Sequence, residues 1–457
     1  MVANEDWMRR FPKARVFHSA MSISDHCLLK LSLNKGRNRV KPKKRFMFEA
    51  MWTRDDRCRK VVEIAWDSVG ENPECELVDR LRCCKENLQK WNWQEFGNVQ
   101  HTIKQKRVKL QQLESLNGLH DKAEEVQKLK TNINKALTRE EIMWSQRSRA
   151  MWIKWGDRNM KFFHATASQR QKRNSILGLM DSDQPSNFEA SLSAIHPSVT
   201  PAMNASLTAE FRVDEIWNAL HQMHPTKSPG PDGMSPIFYH KYWDVVGPKV
   251  IECVLKTLNS GVMPSGLNET FICLIPKVKS PQKITEYCPI SLCNVSYKII
   301  SKVLANRLKR ILAEVVNESQ SAFMLGRLIS DNVMVAFETM HCINGRRKGK
   351  DPLMALKLDM NKAYDRVEWR YLAVIMRRLG FNERWISLMM MCISTVTNSV
   401  LINGEARGSI VPSRRLRQGD PISPFLFLLC SEGLSAMLRK EEEQGNIWGI
   451  AVCRSAP

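Results

Sequence analysis

Leu356-Lys-Leu-Asp-Met-Asn-Lys-Ala-Tyr-Asp-Arg-Val-Glu-Trp369 follows a short apolar run, Leu353 to Leu358, whose alternation predicts a buried strand. Asp359 then stands where that strand ends. A carboxylate at the C-terminal end of a strand, ahead of a helix-like segment, can hold a metal ion over a sheet edge. Five residues on, Tyr364 offers an aromatic ring beside whatever such an ion holds. A plainer reading is also open, in which Asp359 is a solvated cap for the next helix.

Three further stretches bear on that choice. Leu416-Arg-Gln-Gly-Asp-Pro-Ile-Ser-Pro-Phe-Leu-Phe-Leu-Leu429 is a polar glycine turn that opens an apolar helix, with Pro421 and Pro424 where a missing amide proton costs little. Ile275-Pro-Lys-Val-Lys279 leads into Tyr287-Cys-Pro-Ile-Ser-Leu-Cys-Asn-Val295. Gln320-Ser-Ala-Phe-Met-Leu-Gly-Arg-Leu-Ile-Ser-Asp-Asn332 comes next. In this order the four stretches resemble the reverse transcriptases of LINE-type (non-LTR) retrotransposons, particularly those abundant in plant genomes. Several long motifs in register are far more specific than any one of them.

The resemblance implies an α+β fold with right-hand polymerase fingers and a partial palm behind a mainly helical extension. It implies an RNA template, a DNA primer and deoxynucleotides as partners, and two Mg²⁺ ions about 4 Å apart. By the same resemblance Asp359 is the first metal carboxylate. Tyr364 is the ring that selects deoxynucleotides, and Gln418 and Gly419 form the turn that contacts the incoming nucleotide. Lys277 is a fingers cation near the phosphates, and Gly326 and Arg327 lie on the template side. Asp365 and Asp420 belong to the pattern too, with spacing that suits turns and caps.

The chain departs from the pattern in two places. Cys288 stands where the family has an Arg before Pro289, and a thiol supplies neither the charge nor the fork of donors. Leu325 stands where Pro usually precedes Gly326. The family's aromatic-x-Asp-Asp hairpin, which carries the other two metal ligands, has no counterpart after Gln418. A lone Asp359 does not satisfy ions that prefer several oxygen ligands, so negligible polymerase activity is expected of this chain.

Charge and composition agree with a nucleic-acid partner. The net charge is +22 and the isoelectric point about 9.6, an excess that favours a polyanion, and no apolar run approaches the length of a spanning helix. Hydrophobic residues make up 43% of 457, enough for a sizeable core and about three domains. No signal peptide is read at Met1, where Asn4, Glu5 and Asp6 interrupt any apolar stretch, so the nucleus or cytoplasm is expected. Thirteen scattered cysteines lack zinc spacing and fit a reducing compartment.

Five segments are expected. Residues 1–38 end in an alternating strand, and Ser24-Asp25-His26 resembles the last motif of the exonuclease–endonuclease–phosphatase fold, making Asp25 and His26 relics of a domain otherwise missing upstream. Residues 39–180 form a helical, basic extension. Val99, Ile103, Leu110, Leu113 and Leu116 recur at helical spacing, as do Val126, Leu129, Ile133 and Leu137, with Asn117-Gly118 breaking the pattern into an antiparallel hairpin. Its last part, Arg147 to Arg173, holds eight Lys or Arg and one acid, with Trp152 and Trp155 interleaved among Lys161, Arg170 and Arg173. Such a mixture suits single-stranded RNA; it equally suits an amphipathic helix with core aromatics and solvated cations. Residues 181–208, rich in Ser, Pro and Asn, read as a linker. Residues 209–350 are expected as fingers, opening on the turn Lys227-Ser-Pro-Gly-Pro-Asp-Gly233, and 351–457 as partial palm.

A non-catalytic RNA- or DNA-binding protein, and the conceptual product of a degenerate element cut at both ends, are the alternatives to a polymerase.

Overall fold

A computed structural model describes residues 15–20, 27–32, 45–70, 76–115, 123–148, 192–279, 281, 283, 286–324, 326–345, 354–360 and 362–449. The chain divides into two units, Met1–Lys44 and Arg45–Pro457. In the first, β1 (Arg15–Ala20) and β2 (Cys27–Ser32) pair antiparallel, with Arg15 opposite Ser32 and Ala20 opposite Cys27. Asp25 and His26, expected as relics, lie outside the described residues.

The second unit is α+β. Its N-terminal part is helical: α1 (Asp56–Asp67), α2 (Glu76–Trp91), α3 (Val99–Ser115) and α4 (Ala123–Ser148). Helices α3 and α4 form the antiparallel pair that the apolar spacing predicts: Gln100 reaches Glu140 at 3.0 Å, while Lys109 pairs with Glu125 at 3.1 Å. This helical part shares its core with the remainder of the second unit. Phe48 meets Trp52, Phe238 and Tyr242 edge-on, with centroids 5.4, 5.4 and 6.2 Å away.

Residues 192–208 differ from the expected linker. Ala194, Ile195, Val199 and Leu207 are buried, and Pro201–Thr208 is a helix, α5. The composition that suggested a loop is a helix start: the Thr200 hydroxyl accepts from the Met203 amide at 3.2 Å, with Pro201 at the first helical position.

Next come α6 (Val213–His221), α7 (Pro236–Lys241) and α8 (Trp243–Ser260). Strands β3 (Glu269–Pro276) and β4 (Tyr287–Cys293) form a hairpin, and β5 (Thr397–Ile402) and β6 (Glu405–Ile410) another. The sheet order is β4-β3-β5-β6, parallel only between β3 and β5. A parallel contact needs a long crossover, and the chain supplies α9 (Val295–Val315), α10 (Ile329–Gly345), α11 (Trp369–Leu379) and α12 (Glu383–Ser394) between those strands. Helix α13 (Ser423–Glu443) comes after the sheet.

Helix α9 runs through the core, with Tyr297, Ile299, Ile300, Leu304 and Leu308 wholly inaccessible to solvent. Helix α10 buries none of its side chains. The strand predicted at Leu353 to Leu358 does not form over the described residues 354–360: they belong to no helix or strand, with Leu356 71% and Leu358 63% exposed. An apolar alternation supplies a face, but a strand also needs a neighbour for its amides, and no described strand lies beside it.

Candidate functional site

The turn at 416–420 is held from below by a buried ionic cluster. Arg417 is 3% exposed and its guanidinium meets the Asp420 carboxylate at 2.7 Å. The same guanidinium donates to Asn268 Oδ1 at 2.5 Å, Thr270 Oγ1 at 3.1 Å and the Cys392 carbonyl at 2.8 Å. It also lies over the Tyr297 ring, 4.2 Å from its centroid, while the Tyr297 hydroxyl donates to Asp420 Oδ2 at 2.6 Å. Asp420 Oδ1 accepts from the Ile422 amide at 3.3 Å, just ahead of α13. This one cluster ties the turn to α9, β3 and α12. Burial raises the Tyr297 hydroxyl well above its ordinary pKa, so it stays a donor.

With Arg417 and Asp420 pinned beneath, Gln418 and Gly419 face solvent. The turn is also seated on β4, for the Ser291 amide donates to the Gln418 carbonyl at 2.8 Å. Gly419 has φ +111, and a Cβ there would come within 2.9 Å of the Ser291 carbonyl oxygen; both facts call for glycine. Cys288, on the same strand β4, donates its thiol to Gln418 Oε1 at 3.2 Å.

Tyr364 reaches the same place from another direction. Its carbonyl accepts from the Leu416 amide at 2.8 Å, and the Arg415 amide donates to the Val367 carbonyl at 2.8 Å. The half-buried Tyr364 ring stacks on Phe427 of α13, 5.2 Å between centroids and 18° between planes. Burial raises its hydroxyl pKa. Tyr364, Gln418, Gly419 and β4 are therefore one assembly, built from residues far apart in sequence.

The other sequence-derived positions are placed less closely. Lys277 is exposed at the end of β3, its amide donating to the Glu286 carbonyl at 2.8 Å. Arg327 donates to the carbonyls of Asn317 and Gln320 at 2.7 and 2.8 Å, bracing the loop after α9, and Gly326 beside it has φ +78. Glu432 of α13 holds that loop from the other side, accepting from the Asn317 amide at 3.0 Å and from Arg439 at 2.9 Å. Asp359 is exposed and makes no side-chain hydrogen bond or ion pair with the described residues. Trp152, Trp155, Lys161, Arg170 and Arg173 lie outside the described residues.

The described acids around the turn do not form a two-ion centre. Asp420 is committed to Arg417 and Tyr297, and Asp365 lies 3.7 Å from Arg415. Among the described residues no three His, Cys, Asp or Glu side chains come together to hold a metal ion.

Sequence reading missed the supports: Arg417 and Tyr297 beneath the turn, and Asn294 beside it. Asn294 Oδ1 accepts from the Asp232 amide at 3.1 Å while its Nδ2 donates to the Leu267 carbonyl at 3.2 Å, locking the 227–233 turn to the end of β4. A Cβ on Gly230 would fall 2.4 Å from the Asn294 amide nitrogen, so the turn closes this tightly only with glycine. No sequence period marks a buried arginine or asparagine.

Comparison with known proteins covers the same stretches of sequence. Residues 275–453 match the family model for reverse transcriptase (RNA-dependent DNA polymerase). The uncharacterized 149 kDa protein of transposon TX1 from Xenopus laevis is 32% identical over 244 residues, 53% of this chain and 18% of that protein. An uncharacterized mitochondrial protein of Arabidopsis thaliana is 53% identical over 57 residues, 12% of this chain and 47% of that protein. The retrovirus-related Pol polyprotein of the type-2 retrotransposable element R2DM from Drosophila melanogaster is 21% identical over 252 residues, 54% of this chain and 23% of that protein. The chain thus spans less than half the length of each of these relatives. It carries a reverse transcriptase domain similar to those of non-LTR retrotransposons.

Proposed function

We propose that this chain is the fingers and partial palm of an RNA-directed DNA polymerase from a LINE-type retrotransposon of the kind abundant in plants. RNA template, DNA primer and deoxynucleotides are its partners. The observation that carries the reading is the seat formed by Tyr364, Gln418, Gly419 and β4, three separate motifs converging on one exposed turn over a buried Arg417–Asp420 pair. A flat, solvent-facing glycine turn lets a nucleotide approach backbone, and the Tyr364 ring beside it suits discrimination at the sugar. The Arabidopsis relative supports the plant assignment.

In this reading Lys277 serves the phosphates, Gly326 and Arg327 the template strand, and Trp152, Trp155, Lys161, Arg170 and Arg173 the RNA beyond it. Asp359 is the one metal carboxylate, and Asp25 and His26 are remnants of an endonuclease. In this reading the 457 residues alone do not polymerise, because among the described residues no three His, Cys, Asp or Glu side chains come together to hold a metal ion. The two Mg²⁺ ions of the family are therefore assigned no step here. A net charge of +22 favours, as second reading, a protein that binds nucleic acid without catalysis.

Photo-crosslinking with a deoxynucleotide bearing an azide on its base, in the presence of primed RNA, tests the seat. Label mapped by mass spectrometry to 287–293, 362–366 and 416–420 is the expected outcome. Label scattered over the basic surface, undiminished by excess unmodified deoxynucleotide, supports the second reading instead.

A further inference from the structure

Helix α9 is buried along almost its whole length, and most of what it leaves to solvent is cationic or amide: Lys302, Asn306, Lys309 and Arg310. Their spacing puts them along one face. That face forms a wall of a cleft of about 460 Å³. Helix α6 supplies the other wall through Asp214, Glu215 and Asn218, with Gln222 just beyond it, and Phe425 contributes from the first turn of α13.

The two walls are not electrically matched. The acids of α6 are already answered: Arg307 holds both oxygens of Glu215 at 2.7 Å, and Arg212 holds Asp214 at 2.8 Å. Lys302 and Lys309 have no ion-pair partner among the described residues, nor does Lys227 from the neighbouring turn. Burial first, then repulsion from Lys227 and Lys309, lowers the pKa of the Lys302 ammonium. Like charges crowded at the edge of a cleft without an anion stand to gain from one.

We infer that the cleft between α6 and α9 binds a single strand of RNA, with phosphates on Lys302, Lys309 and Arg310 and a base against Phe425. The stretch from Lys302 to Lys309 spans about 10 Å of helix, room for more than one phosphate. Asn218, Gln222 and Asn306 line the same space and offer both donors and acceptors to base edges. A concave cleft with a ring and amides suits a strand; a lipid surface would need only an exposed cationic patch. That the strand is a polymerase template rests on the proposed function. That the cleft binds RNA does not.

The test is fluorescence anisotropy of the full chain with a labelled, unstructured RNA oligonucleotide, without nucleotide or divalent metal, across a salt series. Lys309→Gln with Arg310→Gln changes two exposed side chains; adding Lys302→Gln completes the set. The control set neutralises Arg82, Lys128 and Arg407, which are exposed on α2, α4 and β6. The triple cleft variant should lose affinity about tenfold or more and flatten the salt slope by about 2, three contacts at roughly 0.7 each. The control set should lose less than about twofold, while Phe425→Leu should weaken binding about fivefold with the slope unchanged. Equal losses in the cleft and control sets would overturn the inference. So would an acidic peptide or anionic vesicles that bind with the same dependence on Lys302, Lys309 and Arg310. Silence in primer extension, which tests the polymerase reading, leaves this outcome untouched.

Discussion

Asp420 accepts from Tyr297, from Arg417 and from the Ile422 amide at once, and it is 3% exposed. Replacing it with Asn leaves the Arg417 charge buried without its partner, a change that costs about 3 kcal/mol or more. Urea unfolding of Asp420→Asn should show that loss, with the Gln418–Gly419 turn the first region to gain amide exchange. Asp232 gives a pH-dependent counterpart. Its Oδ2 is buried with no hydrogen-bond partner, and burial, against the opposing pull of the Met234 amide and Lys298, raises its pKa to about 6. Folded protein therefore holds this proton where the unfolded chain has lost it, so the residue's contribution to stability falls as pH rises from about 4 to about 6. The melting temperature of Asp232→Asn should gain on that of the parent across this window and run parallel above it. A difference that stays constant with pH would mean that Asp232 does not titrate there. Cys288 was legible in the sequence as a departure from a family pattern, but its thiol bond to Gln418 was not, because strand register and turn seat are set by contacts remote in sequence.

Elements were legible where their period carried the message. Spacing of Val99, Ile103, Leu129 and Ile133 predicts two helices, and these four side chains are buried. The two failures have different physical roots. At 192–208 composition hid a helix, since the residues that fill loops also cap helices. At 354–360 periodicity promised a strand that only a neighbour could complete. Thr200→Ala tests the first lesson: loss of the cap should lower stability by about 1 kcal/mol. An unchanged denaturation midpoint would return this segment to a loop without structural weight.

At the scale of the molecule, the polymerase reading was legible because four motifs run in one order along the chain, and convergence of three of them on one turn gives that order a geometry. Illegible was the support beneath, from Arg307 across Glu215 to Arg417 across Asp420. Arg307 is 5% exposed and, besides Glu215, donates to the carbonyls of Leu207, Ala209 and Glu210 at 2.9, 2.5 and 2.7 Å. Buried polar links of this kind join elements that local sequence treats separately. A similar gap lies between the metal role proposed for Asp359 and a metal centre: Asp359 is exposed, and among the described residues no three His, Cys, Asp or Glu side chains come together to hold an ion. Primer extension on an RNA template in Mg²⁺ addresses that gap directly. The parent chain would be compared with a version extended past Pro457 by an aromatic-x-Asp-Asp hairpin, and with Asp359→Asn in each. Extension by the lengthened chain alone, abolished by Asp359→Asn, is the expected result. Extension by the parent chain that disappears in Asp359→Asn would contradict it.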